Sequence, residues 1–150
     1  MTVGVYAGSF NPFHKGHYDI LLKSEKIFEK VILVRAVNPD KPASNWPLPK
    51  LIEDRTIITL DKLDLITDVV KNIQGNPGTP NNVTLIRGLR NAHDLQAEIN
   101  YYYILQDLMP EIQMVSIFSD RLLPHVSSSL VRSLTIYGED KSKYNKYLLE

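Results

Sequence analysis

The sequence predicts an α/β fold, an open parallel sheet with helices on both faces. Three observations carry that prediction. Short apolar runs recur along the chain, at residues 3–7, 31–34 and 83–86. Their near-continuous apolar character suits parallel strands covered on both faces. Stretches of helical period separate the runs, so strands and helices alternate.

Taken in order, Val3-Gly4-Val5-Tyr6-Ala7 is the first strand, ended by Gly8, and residues 9–16 are loop. From His17 a helix is expected, with Ile20, Leu21, Ser24, Ile27 and Phe28 on its inner face. Residues 31–36 form the second strand and complete a βαβ unit, whose crossover is expected to be right-handed. Pro39, Pro42, Pro47 and Pro49 make residues 38–49 a loop. A short helix near 50–54, a strand over 56–60 and a helix from about 62 to 73 come next. A single helix over 50–73 is the alternative. Gly, Pro and Asn make 74–82 a surface loop. A strand over 83–86 follows, and Arg87-Gly88-Leu89-Arg90 leaves its C-terminal end. Leu95, Ile99, Tyr102 and Leu105 then mark one face of a helix that stops before Pro110. Residues 112–118 give a strand, 127–136 a helix, and 141–150 a charged terminal helix or tail. The whole reads as one Rossmann-like domain over 1–150, closed by residues 137–150. No internal repeat, coiled coil or low-complexity tract is present.

Composition narrows the function. The chain has 150 residues, 43% hydrophobic and 23% charged, which suits a single globular core. Seventeen Lys and Arg balance 17 Asp and Glu. That balance argues against a nucleic-acid partner held by bulk electrostatics. No apolar run approaches the ~20 residues of a membrane helix, and the first residues lack the zones of a signal peptide. A cytoplasmic protein with no membrane partner is expected. With no cysteine, thiol catalysis, disulfides and Cys-zinc sites are excluded.

Three polar clusters fall where such sheets bind ligands, at the carboxyl ends of strands. The first is Gly8-Ser9-Phe10-Asn11-Pro12-Phe13-His14-Lys15-Gly16-His17. It matches neither the dinucleotide GxGxxG pattern nor a Walker P-loop. Gly16 lets backbone approach a phosphate, and His17 opens a helix whose N–H groups favour an anion. A helix-capping loop with structural histidines is the plain alternative. A zinc pair of His14 and His17 ranks low, since it needs His93 or His125 and a carboxylate to complete it. The second cluster is Arg87-Gly88-Leu89-Arg90, where two guanidinium forks could grip two phosphates bidentately. Surface ion pairs with Asp94 and Glu98 are the competing reading. The third is Val126-Ser127-Ser128-Ser129-Leu130-Val131-Arg132, which supplies capping oxygens and N–H donors at a helix start. No carboxylate pair suited to hydrolysis and no Ser-His-Asp motif accompanies them.

These motifs, in this order, resemble the phosphopantetheine adenylyltransferase family, within the nucleotidyltransferase superfamily marked by a T/HxGH motif. His14-Lys15-Gly16-His17 and the triple serine are superfamily features, and Arg87-Gly88-Leu89-Arg90 points to the pantetheine branch. Residues 100–111 resemble the corresponding family helix, and the likeness runs over most of residues 3–135. Ser9 stands for the family's usual threonine and Asn11 for its aspartate. Leu123-Pro124-His125 replaces aromatic residues common in bacterial members.

The resemblance implies transfer of AMP from ATP to 4′-phosphopantetheine, giving dephospho-coenzyme A and pyrophosphate, with Mg2+ accompanying ATP and no metal-ligating residues. It makes His17, Lys41 and Arg90 the catalytic set, and Ser9, Lys41, Ile66 and Arg87 the acceptor site. ATP would contact Ser9, Phe10, His14 and His17 on the first loop. It would also contact Gly88, Leu89, Arg90 and Glu98, then Leu123, Val126, Ser127, Ser128 and Ser129. Coenzyme A as feedback inhibitor and a homohexamer are implied as well. The Ser-Phe-Asn-Pro-Phe-His stretch is also similar to pyridine mononucleotide adenylyltransferases, so nicotinamide or nicotinate mononucleotide is the alternative acceptor. A non-catalytic nucleotide-binding module is the reading from another class.

Overall fold

A computed structural model describes residues 1–36, 46–61, 64–75, 81–135 and 145–149. Five parallel strands form one sheet in the order β3-β2-β1-β4-β5. These are β1 (Thr2–Gly8), β2 (Lys30–Arg35), β3 (Thr56–Thr59), β4 (Asn82–Leu89) and β5 (Met114–Phe118). The helices are α1 (Lys15–Glu25), α2 (Ile66–Gln74), α3 (Ala92–Leu108) and α4 (Ser128–Thr135). Strand order runs outward from β1 through β2 to β3, then returns to the other side of β1 with β4. The reversal opens a crevice between the carboxyl ends of β1 and β4, which is where such sheets bind ligands.

Both faces of the sheet are covered, and β1 shows why its sequence is apolar throughout. Val3, Val5 and Ala7 point to one core, with Leu85 of β4, Val69 and Val70 of α2 and Leu105 of α3. Tyr6 points to the other, with Phe10, Phe13, and Ile20 and Leu21 of α1. Gly4 has no room for a side chain: a Cβ there would lie 2.5 Å from Ile86 Cδ1 and 2.8 Å from Phe28. Among the described residues no helix is long and apolar enough to cross a membrane.

Several expected boundaries move, each for a physical reason. The single helix over 50–73 does not form. A 3-10 turn at Lys50–Ile52 leads instead into β3, whose β-branched run pairs with β2 from Ile32↔Thr56 onward. Strand β4 continues to Leu89 because β5 extends the ladder through Arg87↔Ser116 and Leu89↔Phe118. Arg87 therefore sits within the strand rather than beyond it. Helix α1 ends at its cap, Lys26, so Ile27 lies outside it and is 60% exposed. Leu95 is exposed too, and α3 is anchored instead by Leu105 and, beyond its end, Met109. Strand β5 starts at Met114, with Ile112 buried just ahead of it. Helix α4 starts one residue late because Ser127 stands outside it and caps it, accepting from Leu130 N–H at 3.0 Å. Of the expected terminal helix or tail, residues 137–144 and 150 lie outside the described residues, as does Ile136 of the helix before it. The described part folds back: Lys15 N–H donates to Tyr147 O at 2.9 Å, and Leu148 bridges His14.

The start of α1 differs from expectation in a way that bears on the site. Its N-cap is His14, and the first helical residue is Lys15, which puts His17 in the first turn. His14 Nδ1 accepts from Gly16 N–H at 3.1 Å and His17 N–H at 3.4 Å, while His17 Nδ1 accepts from His14 N–H at 3.2 Å. This is a reciprocal capping box made by two imidazoles instead of Ser and Glu. His14 is 4% exposed, and its burial, with the nearby Arg90 cation, lowers its pKa to about 4.

That depressed value makes stability pH-dependent. The unfolded chain takes up a proton at the ordinary 6.5 and the folded chain only near 4, so stability is complete above pH 6.5 and declines as pH falls through that window. The loss at pH 5 is about 2 kcal/mol. Urea unfolding at pH 7 and pH 5 should show it, and His14→Asn, which keeps a capping oxygen without the titration, should flatten it. Equal pH slopes in the two chains would contradict the assignment.

Candidate active site

A cavity of about 280 Å³ opens at the sheet's switch point. Nearly all of the expected residues converge on it. The β1–α1 loop contributes Ser9, Phe10, His14 and His17; the end of β4 contributes Arg87, Gly88, Leu89 and Arg90; α3 contributes Glu98. Leu123, Val126 and the Ser127, Ser128, Ser129 turn complete the wall. Ile66 is not brought there: it opens α2 and packs against the core on the sheet face of Val5. Lys41 lies outside the described residues. Tyr6, Ile20, Asp94 and Ser119 also line the cavity and were not anticipated. The one available signal was Tyr6, a phenol in an otherwise aliphatic strand.

The loop is fixed from outside by its carbonyl groups. Arg35 donates from Nε to Ser9 O at 3.3 Å and from Nη2 to Phe10 O at 3.5 Å. Arg132 Nη1 donates to Asn11 O at 2.6 Å, and Ser128 Oγ to Pro12 O at 2.9 Å. Phe10 takes a positive φ of 47°, a conformation that a non-glycine residue holds only when its surroundings enforce it. Of the three serine hydroxyls, Ser128 is thus spent on the loop and Ser127 on the helix cap. Ser129 Oγ accepts from Arg132 Nη2 at 3.2 Å. Ser127 and Ser129 accept in these bonds, so their O–H groups can donate to a ligand at this turn beside the backbone N–H groups of the helix start.

Both histidines present a defined proton. Because each Nδ1 accepts a backbone N–H, each neutral ring carries its hydrogen on Nε2, the edge away from the cap. The rings stack at 3.7 Å between centroids, 19° from parallel. With each Nδ1 accepting, neither Nε2 has a lone pair to offer a cation while the capping bonds stand.

The arginines are held by α3. Arg87 grips Glu98 bidentately at 2.8 and 3.0 Å and donates to Ala7 O at 3.0 Å. Its guanidinium also lies 5.1 Å from the Tyr101 ring centroid. Burial alone would lower the Arg87 pKa; the Glu98 carboxylate outweighs it and raises it. Arg90 grips Asp94 at 2.8 and 3.0 Å and reaches Val126 O at 3.3 Å. Burial opposes the Asp94 charge, yet Arg90 holds its pKa below the ordinary carboxylate value. The ion-pair reading of these arginines is therefore realised, but inside the cavity. With three of its five N–H groups used, each guanidinium keeps two for a ligand.

A phosphate-directed cavity on a doubly wound sheet has known counterparts. Residues 5–134 match the family described as cytidylyltransferase-like. The phosphopantetheine adenylyltransferase of Mycoplasma capricolum subsp. capricolum is 34% identical over 145 residues, covering 91% of this chain and 99% of its own. That of Streptococcus pneumoniae is 31% identical over 150 residues, covering 95% and 88%. Among solved structures, Plasmodium falciparum nicotinic acid mononucleotide adenylyltransferase complexed with NaAD superposes with a TM-score of 0.63 at 18% identity, covering 98% of this chain and 90% of that one. At that identity the likeness speaks for the fold. The chain belongs to the cytidylyltransferase-like family and, within it, to the phosphopantetheine adenylyltransferases.

Proposed function

We propose that this chain is a single nucleotidyltransferase domain that transfers AMP from ATP to 4′-phosphopantetheine, releasing pyrophosphate and giving dephospho-coenzyme A. The observation that carries this is the meeting, across one cavity, of the His14-Lys15-Gly16-His17 loop, the Arg87-Gly88-Leu89-Arg90 strand end and the serine turn. An oxygen of the acceptor phosphate attacks the α-phosphorus in line, and the bond to the pyrophosphate oxygen breaks. No side chain needs to be a nucleophile. The protein's contribution is positioning and electrostatic stabilisation.

In this reading His17 donates from Nε2 to the α-phosphate as charge builds on it. Ser9 and Lys41 orient the acceptor phosphate, and Arg87 holds it. Arg90, Glu98, Gly88, Leu89, Phe10, His14, Leu123, Val126 and the serine turn surround ATP. Magnesium enters as the counter-ion of the ATP phosphates. The donors facing the cavity are N–H and hydroxyl groups, and its two carboxylates are each taken up by an arginine, a set that suits phosphate oxygens rather than a protein-held cation. A cytoplasmic setting, where ATP is held, suits the reaction, and coenzyme A, which shares the pantetheine arm, would occupy the same cavity as an inhibitor. A homo-oligomer, hexameric as in the family, is supported by the apolar Tyr103, Ile104 and Leu108 on α3 and by Phe118 and Leu122, all more than half exposed in the single chain.

Pyrophosphate release should be seen with ATP and 4′-phosphopantetheine. Turnover of nicotinamide or nicotinate mononucleotide, with none of phosphopantetheine, would overturn the acceptor assignment and leave the adenylyl chemistry standing.

Steady-state kinetics should separate two residues. His17→Ala should lower kcat roughly a hundred- to thousandfold, about 2.7–4 kcal/mol, with far smaller effects on substrate binding. Arg87→Ala should chiefly raise the acceptor KM, and Arg87→Lys should rescue only in part because the planar fork is lost. Near-normal kcat in a folded His17→Ala chain would make the loop structural.

Sedimentation equilibrium should find an assembly larger than a monomer, and Ile104→Asp should dissociate it. A wild-type monomer at assay concentration would remove the oligomer from the reading.

A further inference from the structure

The Tyr6 hydroxyl has no part in the scheme above. Tyr6 sits in β1 with 4% of its surface exposed, its ring edge-on to Phe10 at 5.2 Å and to His17 at 6.5 Å between centroids. Its hydroxyl has no hydrogen-bond partner among the described residues. No fully buried side-chain polar atom there lacks a partner, and Tyr6 lines the cavity, so the hydroxyl is the part that reaches the opening. The backbone of β4 passes beside it without a side chain: a Cβ at Gly88 would stand 3.9 Å from Tyr6 Oη.

The charged groups that act on this hydroxyl are already committed elsewhere. Asp19 is paired with Lys23 at 2.8 Å and accepts from Asp120 N–H at 2.7 Å. Arg87 is held by Glu98. Burial drives the phenol's pKa far up, so it remains a neutral O–H donor at any working pH. Phenylalanine would fill the same aromatic niche without placing a polar atom at the cavity.

We propose that Tyr6 Oη donates a hydrogen bond to a phosphoryl oxygen of the ligand seated between His17 and Arg87, adding a donor beside those two residues. The inference rests on the cavity being a nucleotide phosphate site. Neither the HxGH loop nor the arginine strand supplies this donor, because it comes from the floor of the sheet between them.

Tyr6→Phe removes the oxygen and keeps the ring. Three quantities are compared with wild type: Tm, the Kd for ATP by calorimetric titration, and kcat/KM for pyrophosphate release. The expected result is an unchanged or raised Tm with a loss of about tenfold in ATP affinity or in kcat/KM, the effect of one hydrogen bond to a charged oxygen. Changes below fivefold in both constants overturn the proposal. A lowered Tm with unaltered constants, or a chain that no longer folds, shows a structural hydroxyl and overturns it equally. If wild type binds ATP but adenylylates no acceptor, the transferase reading fails while the ATP titration still decides the role of Tyr6.

Discussion

Four consecutive carbonyl oxygens, from Ser9 to Pro12, all accept from side-chain donors on β2 and α4. That constraint sets the rest of the site. A loop between a strand and a helix has no ladder to satisfy its backbone, and unpaired buried carbonyls would be costly. Arg35, Arg132 and Ser128 meet that need and in doing so fix the loop's course. The turn then delivers His14 to the helix N-cap and His17 to the first turn, so the geometry of both imidazoles descends from these outer contacts. The serine motif on α4 is consequently two things at once. It borders the cavity, and it is half of the brace that holds the opposite wall.

The arginines are organised by a second brace. Asp94 and Glu98 are four residues apart, one turn of α3, and each takes the fork of one arginine. A long flexible cation would lose side-chain entropy on meeting a phosphate. Here that ordering is already made by the two ion pairs within the chain, which is the meaning of preorganisation. Among the described lining residues the two pairs cancel in formal charge, leaving directed N–H groups rather than a bulk positive field. The chain's overall charge balance is consistent with that design.

Much of this was legible in the residues. The alternation of apolar runs and helical periods gave the parallel sheet, and the three polar clusters fell at strand ends that the topology does bring together. What was missed had competing physics. The α1 start lies two residues ahead of the expected His17 because histidine is an uncommon cap, although the capping-loop alternative allowed for it. The length of β4 escaped because Arg87 and Gly88 break the apolar pattern, and only the pairing with β5 carries the strand through them. Ile27 looked like helix face because period alone does not mark where a helix ends. Ile66 was placed at the acceptor by resemblance, not by any signal of its own; locally it is an apolar residue that opens α2 and packs on the core.

The departures from the family pattern take on a physical meaning in this setting. Asn11 replaces a carboxylate, yet it does not line the cavity. It is 6% exposed, and its Oδ1 accepts from Trp46 N–H at 2.9 Å while its own carbonyl takes Arg132. A neutral amide can serve such a buried acceptor position without the desolvation cost of a charge. The substitution therefore bears on how the loop is held and not on which groups face the phosphates. Ser9 is the opposite case: it lines the cavity, and the exchange from threonine removes a methyl while keeping the hydroxyl that a phosphate oxygen would meet. The chemistry-bearing atoms are retained at the one position and the scaffold has been rebuilt at the other, so the two departures leave the polar face of the cavity as the family pattern has it.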